Sequence, residues 1–193
     1  MAAKHIARRG FLLAGLTLTA SGCMPRIGML QDTGATYTLD RRYKRQRVLY
    51  ESHEPTGSIV VDTSQRFLYS IESDGYAMRY GVAVGQEGLT LKGRARVGRK
   101  AVWPAWTPTA NMMRRKPRLV QYAGGVPGGP NNPLGARALY LYRGDRDTKF
   151  RLHGTNEPWT IGTAVSSGCI RLTNDDIIDL YERTAEGAIV IVI

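Results

Sequence analysis

The chain has 193 residues, enough for one domain of ordinary size with a sizeable core and a tail. Hydrophobic residues make up 42%, which excludes wholesale disorder, and 22 glycines with 9 prolines favour turns and short strands over long helices. The formal net charge of +11 suits an anionic partner such as nucleic acid, lipid headgroups or an acidic polymer, and fits a merely solvated basic surface equally well.

Residues 1–23, "MAAKHIARRGFLLAGLTLTASGC", read as an export signal. Lys4, Arg8 and Arg9 form a positive start, and Phe11 to Ala20 is an apolar stretch too short to span a bilayer. Arg8-Arg9-Gly10-Phe11-Leu12 resembles a twin-arginine signal. Ala20-Ser21-Gly22 before Cys23 resembles a lipobox, although a larger aliphatic residue is more usual at the Ala20 position. That resemblance implies lipidation of Cys23 and a periplasmic, membrane-anchored lipoprotein. A plain cleaved signal or a short anchor helix is the alternative, and each of these readings places the domain outside the cytoplasm. Loss of residues 1–22 removes three positive charges and leaves +8. With Cys23 lipidated, Cys169 is the sole thiol of the mature chain; otherwise a Cys23–Cys169 disulfide is the structural alternative.

Residues 24–56 are polar and basic, without clean periodicity, and read as a tether with a short strand near Arg47–Tyr50 and a solvated His53. The domain proper is expected over residues 57–193. Ile59–Val61 and Phe67–Ile71 flank the turn-forming Asp62-Thr63-Ser64-Gln65 and predict a hairpin. "YAMRYGVAVG" predicts a third strand ending at Gly85, and Ala101–Trp103 a short one stopped by Pro104. "GGVPGGPNNPLG" predicts a long loop of the kind that often carries function. Ala138–Tyr142 and Phe150–Gly154 predict two further strands. Thr173 caps a helix whose first turn carries Asp175 and Asp176 and whose apolar face carries Ile177, Leu180 and Tyr181, with Gly187 as its stop. "AIVIVI" closes the chain as a buried strand. The fold class is mainly β, sandwich- or barrel-like, with one principal helix near the C-terminus.

One histidine and one cysteine lie close in "HGTNEPWTIGTAVSSGCIRL". An imidazole at His153 can take the proton of a Cys169 thiol, and glycine beside a nucleophile lets backbone N–H groups receive an oxyanion. Arg171 can hold a carboxylate bidentately. On chemistry alone, a buried structural thiol beside a strand-end histidine remains an equal reading.

"HGTN…SSGCIRLTNDD", with "WPAWTPT" and "PGGPNNPLGARALYLY" upstream, resembles L,D-transpeptidase catalytic domains of the YkuD type over most of residues 57–193. The resemblance implies Cys169 as nucleophile, His153 as general base oriented by the Gly154 carbonyl, and the Gly168 and Cys169 amides as the oxyanion hole. It places Arg171, Ser166, Ser167, Trp106 and Asn132 in substrate binding. Trp103 and the Asn132–Gly135 loop would shape the cleft, with core packing as the alternative role for the tryptophans. Ser167 departs from the pattern, which usually has histidine there; a serine hydroxyl donates a hydrogen bond but does not titrate near neutrality.

The expected function is cysteine-dependent acyl transfer on peptidoglycan stem peptides through a Cys169 thioester. It would give 3-3 cross-links or attach a protein, such as an outer-membrane protein, to the wall. Hydrolysis by an L,D-carboxypeptidase or amidase, and an inactive wall-binding module, are the alternatives. No metal or cofactor is expected, no nucleic-acid partner, and a monomer.

Overall fold

The computed structural model describes residues 37–86 and 91–193. The export signal, Cys23 and residues 24–36 of the expected tether lie outside the described residues. Among these, the fold is mainly β with one principal helix near the C-terminus.

In chain order the strands are β1 (Gln46–Leu49), β2 (Ile59–Asp62), β3 (Phe67–Ile71), β4 (Tyr76–Gly81), β5 (Val84–Gly85), β6 (Gly93–Val102), β7 (Arg137–Arg143), β8 (Arg146–His153), β9 (Ala164–Ser166), β10 (Ile170–Arg171) and β11 (Ile189–Val192). Two helices, α1 (Ala110–Arg115) and α2 (Asn174–Arg183), join them. Nine strands form a mixed sheet in the order β1-β4-β3-β2-β11-β6-β7-β8-β10, and β5 pairs with β9 separately.

The β2–β3 hairpin is built by its turn. Asp62 Oδ1 accepts from Ser64 N at 2.9 Å, Ser64 Oγ at 2.6 Å and Gln65 N at 2.9 Å, which closes the loop locally. Both faces of these strands are apolar because both are covered. Ile59, Val61 and Leu68 join Leu139, Leu152, Ile177 and Leu180 in the main core beneath α2. Val60, Phe67, Tyr69 and Ile71 form a second cluster on the other face, against Tyr43, Val48 and Tyr50.

That second cluster changes the reading of the segment before residue 57. Residues 37–56, placed in the tether by composition, carry a 3-10 turn at Arg41–Tyr43 and the edge strand β1, which pairs antiparallel with β4. The anchor is aromatic. A Cβ at Gly81 would lie 2.4 Å from Tyr43 Cβ, and one at Gly162 would lie 2.3 Å from the Tyr43 ring, so two glycines make room for this side chain.

Other boundaries differ for local reasons. The third strand ends at Gly81, and β5 leaves for the small sheet. β6 is ten residues long rather than a short piece at Ala101–Trp103. In "GRARVGRKAV" only Ala95 and Val97 enter the core, too weak an apolar signal to reveal a strand. A register shift falls between Val97 and Arg99. A Cβ at Gly98, between them, would lie 2.4 Å from the Tyr142 ring. Helix α2 begins as expected, with Thr173 Oγ1 accepting from Asp176 N at 3.2 Å. It ends at Arg183, before Gly187, which instead turns the chain into β11 at φ 89°.

Candidate active site

Strand register builds the site. β8 and β10 are parallel, with Leu152 opposite Ile170 and His153 opposite Arg171. One residue back, the same register sets Cys169 beside Arg151. Alternation does the rest. Leu152 and Ile170 enter the main core, so Arg151, His153, Cys169 and Arg171 share the other face. His153 and Cys169 lie sixteen positions apart in the chain, but the sheet makes them diagonal neighbours.

The face extends across β6 and β7. Ala101 pairs with Ala138, and Ala138 with His153. Arg99 pairs with Tyr140, and Tyr140 with Arg151. Two adjacent rows therefore cross four strands: Ala101–Ala138–His153–Arg171 and Arg99–Tyr140–Arg151–Cys169. The first puts two small side chains beside the imidazole. The second puts the Arg151 guanidinium beside the thiol, with the Tyr140 ring and Arg99 beyond it.

His153 is buried, and its Nδ1 lies 2.5 Å from Gly154 O. A carbonyl only accepts, so Nδ1 carries the proton and Nε2 keeps its lone pair. Burial, then the Arg171 charge, hold the imidazole down at a pKa of about 3, against the smaller opposing effect of the Gly154 carbonyl. The ring is therefore neutral near neutral pH. Cys169 is half-buried and a free thiol. Burial raises its pKa, while the Arg151 backbone N–H and the Arg151 and Arg171 charges pull it down. Near neutral pH the two groups are a thiol and a neutral imidazole on one face of the sheet.

The turn before Cys169 is stapled by Ser166. Its Oγ donates to Cys169 O at 2.5 Å and accepts from Gly168 N at 3.1 Å. Gly168 has φ 129°, in the region that favours glycine. The Gly168 amide, which the resemblance implies in an oxyanion hole, is thus already engaged with Ser166 Oγ. Ser167 is half-buried in the same turn.

Arg171 has a partner as well: Nη1 donates to Glu157 Oε2 at 2.8 Å. Its backbone N–H and C=O bond to Ala83 O at 2.8 Å and Ala83 N at 2.9 Å, which pins β10 against the start of the small sheet. Trp106 is half-buried, bridged through its backbone to Val126, with its ring 6.2 Å from that of Tyr122. Trp103 is exposed. Asn132 is only 1% exposed, and its side chain serves its own loop. Nδ2 donates to Val126 O at 3.0 Å and Pro127 O at 2.9 Å, and Oδ1 accepts from Leu134 N at 2.8 Å. These bonds use both amide protons, so Asn132 shapes the loop instead of reaching into a cleft.

Where that loop ends, backbones touch. A Cβ at Gly135 would lie 2.5 Å from Thr155 N, and one at Gly154 would lie 2.3 Å from Asn174 Oδ1, so the two glycines leave room for the Asn174 side chain between the loop, the residue after His153 and the start of α2. Asn174 Oδ1 accepts from Ala136 N at 2.9 Å in the same place. Arg151, Asp147, Tyr140 and Glu157 were missed in the sequence. Only for Arg151 was there a usable signal, since period 2 in a strand puts it on the face of His153. Among the described residues no cluster of three or more His, Cys, Asp or Glu could hold a metal ion. No helix among them is long and apolar enough to cross a membrane.

Residues 56–192 match the family model of the YkuD L,D-transpeptidase catalytic domain. A probable L,D-transpeptidase of Escherichia coli, ErfK/SrfK, is 37% identical over 133 residues, covering 67% of this chain and 41% of that protein. The chain thus spans about two fifths of the length of that relative. An open reading frame from the ATP synthase subunits region of Fuscovulum blasticum, also named as an L,D-transpeptidase, is 30% identical over 96% of this chain and 97% of its own length. Among solved structures, a probable carnitine operon oxidoreductase from Brucella melitensis is 45% identical with a TM-score of 0.55, covering 76% of this chain and 91% of that one. An L,D-transpeptidase from Mycobacterium smegmatis shares the fold at 17% identity with a TM-score of 0.53, covering 70% and 57%. With the family model covering most of the chain and the histidine and cysteine of its motifs set on one face of the sheet, the chain belongs to the YkuD family of L,D-transpeptidase catalytic domains.

Proposed function

We propose that this chain is an exported enzyme that remodels peptidoglycan by acyl transfer through a Cys169 thioester. The observation that carries this reading is the bond from His153 Nδ1 to Gly154 O, which leaves an unprotonated Nε2 with its lone pair on the face that Cys169 shares. Cys169 Sγ gives its proton to Nε2, and the sulfur attacks the amide carbonyl at the L-centre of a diamino acid in a stem tetrapeptide. His153 returns the proton to the leaving amine, and D-alanine departs. An acceptor amine then attacks the thioester, and its proton passes through His153 to the sulfur as the C–S bond breaks. The acceptor is a second stem peptide or a wall-attached protein.

In this reading the Cys169 N–H is the main oxyanion donor, because Ser166 Oγ shares the Gly168 N–H. Arg171 meets a substrate carboxylate by exchanging it for Glu157. Trp106 and the loop that Asn132 braces wall the cleft. Ser167 adds a hydroxyl and no second base, so one imidazole suffices. Residues 1–23 export the chain and Cys23 carries the lipid, which holds a basic domain against an anionic wall.

A solved L,D-transpeptidase of this fold is held in complex with imipenem. Imipenem added to the purified protein is expected to raise its intact mass by one adduct, and Cys169→Ala is expected to show none. A wild-type protein that takes no adduct would leave the inactive wall-binding module as the better reading. Muropeptide profiles and wall-bound protein after gene deletion then separate transfer from trimming; both unchanged would sink the transferase reading.

A further inference from the structure

The row Arg99–Tyr140–Arg151–Cys169 holds two cations that no step above uses. The Arg99 guanidinium carbon lies 3.5 Å from the centre of the Tyr140 ring, and that of Arg151 lies 4.1 Å from it. Asp147 grips Arg151 from the side. Nη1 donates to Oδ1 at 2.7 Å and Nη2 to Oδ2 at 2.9 Å, with the two side chains only 13% and 22% exposed. A planar fork stacked on a ring and bound bidentately has little freedom. The register of β8 and β10 sets the same residue beside Cys169.

The other charged groups near the thiol are accounted for. Arg171, from β10, is tied to Glu157. His153, from β8, is neutral. Arg99, from β6, lies beyond Tyr140. Lys149 sits 3.4 Å from Asp147 Oδ2. Ala83 and Val84, on the side of the small sheet, carry no charge.

We infer that Arg151 and Asp147 are positioning residues for the reacting thiol: Asp147 anchors the guanidinium beside Cys169 while masking part of its charge, and the balance sets how readily the sulfur surrenders its proton. In that transfer the S–H bond breaks and the Nε2–H bond of His153 forms, with no other change. Electrostatics at the sulfur agree in sign, since the Arg151 charge pulls the thiol pKa down and Asp147 pushes it up. The inference rests on the reading of Cys169 and His153 as the reacting pair.

The test is iodoacetamide alkylation of Cys169 in the full chain, followed across pH by mass spectrometry of the peptide that contains it. Arg151→Gln is expected to slow alkylation at neutral pH by about threefold or more, and Asp147→Asn to quicken it by about threefold. Arg151→Lys keeps the charge but loses the planar fork, and is expected to fall between wild type and Arg151→Gln. Arg151→Gln and Asp147→Asn break the same ion pair, so a purely structural role would move both in one direction. That outcome, or no movement in either, overturns the inference. If Arg151→Gln fails to fold, Asp147→Asn against Arg151→Lys decides, and Asp147→Asn must be the faster. Alkylation needs no substrate, so its result stands whether or not imipenem acylates the thiol.

Discussion

His153 carries the most consequence at the scale of single residues. Its folded pKa, about 3, lies below the ordinary histidine value of 6.5 that it regains on unfolding. Between those values the unfolded chain binds a proton that the folded chain refuses. Stability from this residue is therefore whole above about pH 6.5 and falls as pH drops toward 3, by roughly 1 kcal/mol per pH unit. Urea unfolding at pH 7 and pH 4.5 checks this: His153→Gln is expected to lose less stability on acidification than wild type. The pH profile of kcat/KM is expected to lack an ascending limb near the ordinary histidine value, because the base is already neutral there. The histidine and the cysteine stood out in sequence by type, and their expected roles came from the resemblance rather than from their spacing. Asn132 was misread because its role lies in which carbonyls its amide reaches, and no spacing rule reports that. Glu157, the partner of Arg171, was hidden for the same reason.

The strands and helices follow a similar division. The β2–β3 hairpin, β7, β8, α2 and β11 were readable, since each has an apolar run with a turn or a cap beside it. β9 and β10 were not, because strands of three and two residues have no periodicity of their own. They exist through their partners. The end of α2 also depends on a distant residue: Lys100 Nζ, from β6, donates to Tyr181 O at 2.6 Å and Thr184 O at 2.7 Å. A cation on the last carbonyls complements the helix dipole and fills acceptors left open there. Lys100→Met keeps the stem and removes those bonds. It is expected to cost about 1–2 kcal/mol, read as a lower thermal midpoint with the neutral-pH alkylation rate of Cys169 unchanged.

At the scale of the described residues, the sheet draws in chain from before residue 57. Composition marks residue 57, but Tyr43, Val48 and Tyr50 cover the second apolar cluster, and β1 completes an edge of the sheet. The segment read as a tether because its basic residues dilute the apolar ones. Here several arginines lie over rings: the Arg47 guanidinium carbon is 3.7 Å from the centre of the Tyr76 ring, and that of Arg79 is 4.3 Å from that of Phe67. Part of the excess positive charge thus packs within the fold. A chain beginning at residue 57 is expected to be less stable than one beginning at residue 37 by on the order of 3 kcal/mol or more, and to bind a hydrophobic dye. Equal thermal midpoints would mean that the segment merely rests on the sheet.

The period-2 register that assembles the site also makes it discrete. A slip of β10 by one position along β8 would turn Cys169 into the core and present Ile170 in its place, so a slipped molecule would be inert rather than slow. With only two residues in β10, the pair of bonds between Arg171 and Ala83 is one guard against that slip, beside the bond from Leu172 N to His153 O. Weakening them would lower the fraction of molecules able to form an adduct and leave the rate of the competent ones as it was.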